Sequence, residues 1–138
     1  MQGEPFPPVE LTFPAVPATA GRARRAARAS AQRADADPKA VELAVSEAVT
    51  NVILHAYRAG DGHDSGVVRL SLSLDGDHLR VVVEDDGEGL SPRADSPGAG
   101  VGLAVIAQLA DGLEVEAPGR GTRLVMRFRI RETERRPA

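Results

Sequence analysis

Residues 42–57 read ELAVSEAVTNVILHAY, and this stretch decides the fold. It is apolar almost all the way round, yet it carries Glu47, Asn51 and His55 at four-residue steps. A helical residue advances about 100°, so with Val41 at zero the side chains of Val52, Val45, Ala56, Val49 and Ile53 fill a sector of roughly 20° to 120°. Ser46 and Thr50 come next as a polar sector. Glu47 and Asn51 fall elsewhere, near roughly 240° and 280°, between Leu54 and Leu43 on one flank and Ala44 and Ala48 on the other. A carboxylate and an amide on a half-buried stripe must be paired, hydrated or holding a ligand, because burying them bare is costly. The helix is predicted to start with Pro38 in its first turn and Asp37 as N-cap, and to run to near Arg58, where AGDGHDSG gives a loop.

Upstream, Val9 to Phe13 (VELTF) alternates as a short strand that Pro14 and Pro17 close. Ala18 to Ala34 is rich in helix formers, with a core face made mostly of alanine. Its arginines 22, 24, 25, 28 and 33 project in several directions and fit either a solvated helix or a partner surface. Downstream, Val67 to Leu74 and His78 to Glu84 form a hairpin across Asp75-Gly76-Asp77, and the Val81-Val82-Val83 run marks a strand covered on both faces. Residues 85–99 (DDGEGLSPRADSPGA) have no periodicity. VGLAVIAQLA then reads as a helix stopped at Asp111-Gly112, and Leu113 to Ala117 and Arg123 to Ile130 read as the last strands. The order β-α-α-β-β-α-β-β predicts an α+β fold. Its form is a two-layer α/β sandwich with a mostly antiparallel five-stranded sheet and three helices on one face.

Composition narrows the function. The 138 residues are 42% hydrophobic and 27% charged, a globular balance for one domain. No apolar run reaches the roughly 18 residues of a membrane span and no signal-peptide pattern opens the chain, so the expectation is a cytoplasmic protein with no membrane partner. The net charge of -3 argues against nucleic acid as a direct partner. The absence of cysteine excludes disulfides, thiolate metal sites and cysteine nucleophiles. The only lysine, Lys39, is followed by Ala40, so a Walker-type phosphate loop is excluded.

Glycine clusters carry the remaining signal: Gly87 and Gly89 after Asp85 in DDGEG, then Gly98, Gly100 and Gly102 in GAGVGL, then GRGT at Gly119 to Thr122. Glycine lets a ligand approach the backbone, and free N–H groups where a helix begins suit a phosphate chain. GAGVGL is not a dinucleotide fingerprint, because Leu103 stands where the last glycine belongs.

In combination these elements resemble the Bergerat ATP-binding fold of gyrase-type ATPases, the Hsp90 chaperone, MutL and histidine kinases. Its E-x-x-x-N helix motif corresponds to Glu47 and Asn51, D-x-G-x-G to Asp85, Gly87 and Gly89, G-x-G-x-G to Gly98, Gly100 and Gly102, and the late G-T to Gly121 and Thr122. The resemblance covers about residues 9–130 of a single histidine-kinase-like ATPase domain spanning 1–138. EAVTNVILHAY is most similar to bacterial anti-sigma factors that are serine/threonine kinases. A histidine kinase would need a further helical region carrying a phosphoaccepting histidine, whereas His55 lies inside the ATP motif and reads as structural.

The resemblance implies ATP and Mg²⁺ as cofactors. Glu47 would be the catalytic general base and Asn51 the Mg²⁺ ligand through its neutral oxygen. Asp85 would accept a hydrogen bond from the adenine amino group, with Gly87, Gly89 and Thr122 around it. Gly98, Gly100, Val101, Gly102 and Leu103 would hold the phosphates through backbone N–H groups. The departures are Leu90-Ser91, where many of these kinases have an aromatic and an acidic residue, and a short lid, Arg93 to Pro97, whose single cation is Arg93.

The implied function is an anti-sigma factor kinase that phosphorylates a serine or threonine of an anti-sigma antagonist and sequesters a sigma factor, in the manner of partner switching. A homodimer through the N-terminal strand and helix is also implied. The alternative is a non-catalytic ATP-binding regulator that controls a partner by nucleotide-dependent binding. A third is a sensory ATPase domain serving another pathway.

Overall fold

A computed structural model describes residues 6–57, 66–87, 99–117 and 120–131. The elements are β1 (Val9–Pro14), α1 (Ala18–Ala34), α2 (Pro38–Asn51), a π-helical turn (Val52–Ala56), β2 (Val67–Asp75), β3 (His78–Asp85), α3 (Ala99–Leu109), β4 (Gly112–Glu116) and β5 (Thr122–Arg129). The expected order and element types hold. The five strands run β1-β2-β3-β5-β4, with every neighbouring pair antiparallel. The triple-valine strand, β3, lies in the middle as expected.

Local chemistry explains the boundaries. The Asp37 carboxylate accepts from Lys39 N at 3.1 Å and Ala40 N at 3.4 Å, and Pro38 follows in the first turn, where its missing N–H costs nothing. Asp35, at φ 64°, turns the chain between α1 and α2. Gly76, at φ 62°, makes the tight hairpin between β2 and β3.

Side-chain alternation divides the sheet into two faces. On the helix side the register stacks Val9, Leu72, Val81, Met126 and Leu113 in one row and Leu11, Leu70, Val83, Leu124 and Val115 in the next. Against them pack the fully buried Val41, Val45, Val49 and Val52 of the central helix, each worth roughly 1.5–3 kcal/mol of apolar burial. Helix α1 reaches the core through Ala23, Ala27, Ala31 and Ala34, which permit close approach to α2.

The other face carries a ladder of alternating charge. Arg69 and Glu84 approach at 3.8 Å, Glu84 and Arg123 at 3.0 Å, and Arg123 and Glu116 at 3.1 Å, one pair per strand step. Val82 and Val125 face each other beside this row and are buried.

One boundary differs from expectation. The α-helix does not run to Arg58 but ends at Asn51, and the next five residues form the π-turn. A run of apolar or helix-compatible residues carries no signal that distinguishes i→i+4 from i→i+5 pairing. No helix among the described residues is long and apolar enough to cross a membrane.

Candidate functional site

The row of the sheet beyond the apolar ones reads Phe13, Val68, Asp85, Thr122. Asp85 continues the inward alternation of Leu79, Val81 and Val83, so it points into the helix layer and is 2% exposed. Its Oδ1 accepts from Gly87 N at 2.9 Å, and Thr122, the residue opposite it on β5, also gives it a backbone hydrogen bond. Burial pushes the Asp85 carboxyl above the usual carboxylate range, and the Gly87 N–H works against that shift. Its neighbour Asp86 turns outward onto the Arg69 guanidinium in a bidentate pair of 2.9 and 2.7 Å, which holds its carboxyl below the usual range.

Two glycines let backbones meet around Asp85. A side chain on Gly121, at φ 88°, would collide with the Asp85 carbonyl, and one on Gly87 would collide with the carbonyl of Ala56. The end of the central helix therefore abuts the end of β3.

Helix α3 closes the opposite side. A Cβ on Gly102 would lie 2.7 Å from Asn51 Nδ2, 3.2 Å from Asn51 Oδ1 and 2.8 Å from Glu47 Oε2. Both polar side chains of α2 thus aim at the start of α3, whose first turn holds Gly100 and Val101 and leaves their backbone N–H groups without helical partners. Asn51 is 4% exposed, and its Nδ2 has no hydrogen-bond partner among the described residues. Glu47, one turn earlier, is only half-buried.

A family model described as the histidine kinase-like ATPase domain matches residues 13–128. The chain belongs to that family.

Within the histidine kinase-like ATPase family the chain stands with the anti-sigma factors. It is 35% identical over 106 residues to the anti-sigma F factor of Clostridium novyi, covering 68% of this chain and 72% of that protein. It is 42% identical over 78 residues to blue-light-activated histidine kinase 2 of Erythrobacter litoralis, but spans only 22% of it. Among solved structures, the RsbU and RsbW domains of a Mycobacterium tuberculosis protein superpose with a TM-score of 0.70 at 26% identity. That match covers 90% of this chain and 32% of the other.

The ATPase-family motif residues thus fall into two groups. Glu47, Asn51 and Gly102 form one cluster; Asp85, Gly87, Gly121 and Thr122 form a second; the π-turn and the sheet join them. Leu103, expected to touch the phosphates, packs its side chain against the core. Gly89, Gly98, Gly119, Leu90, Ser91 and the segment Arg93 to Pro97 lie outside the described residues. The unpartnered Asn51 Nδ2 is a donor that fits a phosphate oxygen, and the Asn51 oxygen and the Glu47 carboxylate beside it are of the kind a divalent metal takes, all facing a glycine that leaves no side chain between them and α3.

Sequence reasoning missed three residues. Tyr57 donates its hydroxyl to Val67 O at 2.6 Å and accepts from Val67 N at 3.2 Å and Asp86 N at 3.0 Å. Gly66 lies so close beneath the Tyr57 ring that a Cβ would stand 2.9 Å from it. Arg69 holds Asp86 away from Asp85. Period-2 alternation from Val81 and Val83 was the available signal that Asp85, and not Asp86, faces inward.

Proposed function

We propose that this chain is an ATP-dependent serine/threonine protein kinase that acts as an anti-sigma factor, phosphorylating an anti-sigma antagonist and sequestering a sigma factor. The observation that carries the reading is the convergence of Glu47 and Asn51 on Gly102, with the buried Asn51 Nδ2 lacking a partner among the described residues. Family membership supplies the nucleotide, and an intact carboxylate beside the phosphate site supports transfer over mere binding.

Each residue then has a chemical task. Asp85, buried and preset by the Gly87 N–H, accepts from the exocyclic amino group of adenine. Backbone N–H groups in the first turn of α3, at Gly100 and Val101, take the phosphates, with the Asn51 oxygen as the ligand that would hold Mg²⁺. Mg²⁺, when bound, neutralises phosphate charge. Glu47 accepts the proton of the attacking serine or threonine hydroxyl. A new O–P bond forms to the γ-phosphorus as the bridging P–O bond breaks and ADP leaves.

The protein is read as cytoplasmic and homodimeric. The position of β1 at the edge of the sheet supports a second copy pairing there.

Labelled ATP with Mg²⁺, incubated with purified antagonist proteins of the same cell, tests the reading. Label in a serine or threonine of one antagonist supports the kinase. Tight ATP binding with no transfer to any antagonist would favour the nucleotide-controlled binder instead.

A further inference from the structure

The central helix ends in an unusual way. After Asn51 the chain widens into the five-residue π-turn, and Tyr57 then leaves it with φ -120° and ψ 133°. Such turns insert an extra residue and swing the downstream chain by about one helical position. Here the swing brings the Ala56 carbonyl against Gly87 and the Tyr57 ring onto Gly66. It also lets one hydroxyl satisfy three backbone groups, at Val67 and Asp86.

Asp86 N is the peptide N–H that directly succeeds Asp85. Residue 86 is therefore pinned twice, at its N–H by the Tyr57 hydroxyl and at its carboxylate by Arg69. With residue 86 fixed on the outside, Asp85 is held inward, its Oδ1 on Gly87 N. Tyr57 is covalently continuous with the helix that carries Glu47 and Asn51, so its hydroxyl sets the depth of the base site relative to the phosphate site.

We propose that Tyr57 is a positioning residue for the purine. Acting through Asp86 N–H, it holds Asp85 where it can select an amino-bearing base, and so links base selectivity to the helix that bears the phosphate-facing groups. This rests on the nucleotide-binding reading above and deepens it.

Tyr57 is the only tyrosine and the chain has no tryptophan, so one aromatic reporter reads this site alone. In the full chain, Tyr57→Phe is titrated with ADP and with IDP, whose base lacks the exocyclic amino group. The expected result is about a tenfold loss of ADP affinity, the size of one well-placed hydrogen bond, with IDP affinity nearly unchanged. A purely structural role would weaken both nucleotides alike, and an unchanged ADP to IDP ratio overturns the proposal while leaving nucleotide binding intact. If the wild type binds neither ADP nor ATP, the nucleotide reading itself fails and this inference with it.

Should Tyr57→Phe not fold, the wild type labelled with 3-fluorotyrosine decides. Its single ¹⁹F resonance is expected to shift with ADP and to shift less with IDP. A resonance indifferent to both, with ADP bound, overturns the proposal.

Discussion

The side chain of Asn51 faces the backbone of Gly102 at a distance that leaves no room for a Cβ, which would stand 2.7 Å from Nδ2 and 2.8 Å from Glu47 Oε2. A side chain at position 102 would thus occupy the space where the α2 polar groups and the start of α3 converge. Gly102→Ala is expected to lower ADP affinity by at least about tenfold, because the buried amide cannot move aside freely. Calorimetric titration with ADP and Mg²⁺ checks this, and unchanged affinity would show that the space is not used by ligand.

Gly121 and Gly76 share positive φ but differ in surroundings. Gly121, at φ 88°, packs against the Asp85 carbonyl, whereas Gly76, at φ 62°, has nothing within 4 Å of a Cβ. Gly121→Ala is expected to cost more than the roughly 1–3 kcal/mol of backbone strain alone, on the order of 3 kcal/mol or above, because the strand end must also shift. Gly76→Asn is expected to cost under about 1 kcal/mol, since Asn tolerates this backbone. Urea midpoints of the two variants measure the contrast.

Asp85→Asn removes the charge of the buried acceptor while keeping its size. Loss of a hydrogen bond to a charged group predicts ADP affinity down by about 10- to 100-fold, measured by titration. Binding at wild-type strength would refute the base-recognition role of Asp85.

The paired aspartates respond to pH with opposite signs. Asp85 has its folded pKa raised, chiefly by burial, so its stabilising contribution is present below the ordinary Asp value and is lost as pH rises through the raised value. Asp86 has its folded pKa lowered, chiefly by the Arg69 hydrogen bonds, so its contribution is present above the ordinary value and is lost as pH falls through the lowered one. Asp86 is 56% exposed, so its effect is small. The stability of Asp85→Asn relative to wild type is therefore expected to rise as pH increases through the raised Asp85 value. ADP affinity of the wild type falls over the same interval as pH is lowered, because the carboxylate is the stronger acceptor. Denaturation and titration series across mildly acidic pH test both.

Much of this molecule was legible from residue spacing. Period-2 runs fixed the strands from Val67 to Leu74 and from His78 to Glu84, and the alanines of residues 18–34 predicted a helix that sits close to its neighbour. The helical projection placed Glu47 and Asn51 on a half-buried stripe, and their convergence on the glycine helix was what the resemblance to the ATP-binding fold implied. The illegible parts depend on groups that leave no periodic trace. The π-turn differs from an α-turn by one backbone pairing, and the Tyr57 hydroxyl bonds only backbone atoms of segments ten and twenty-nine residues away. The leucines beside Glu47 were also not foreseen as surface groups; Leu43 is 46% and Leu54 64% exposed.

The most direct measurement is phosphate transfer by Glu47→Gln, run beside its ATP affinity. The account predicts ATP affinity within about threefold of wild type, and transfer to the antagonist reduced by about 10²- to 10⁴-fold, the usual worth of a general base. Transfer by Glu47→Gln at the wild-type rate would contradict it.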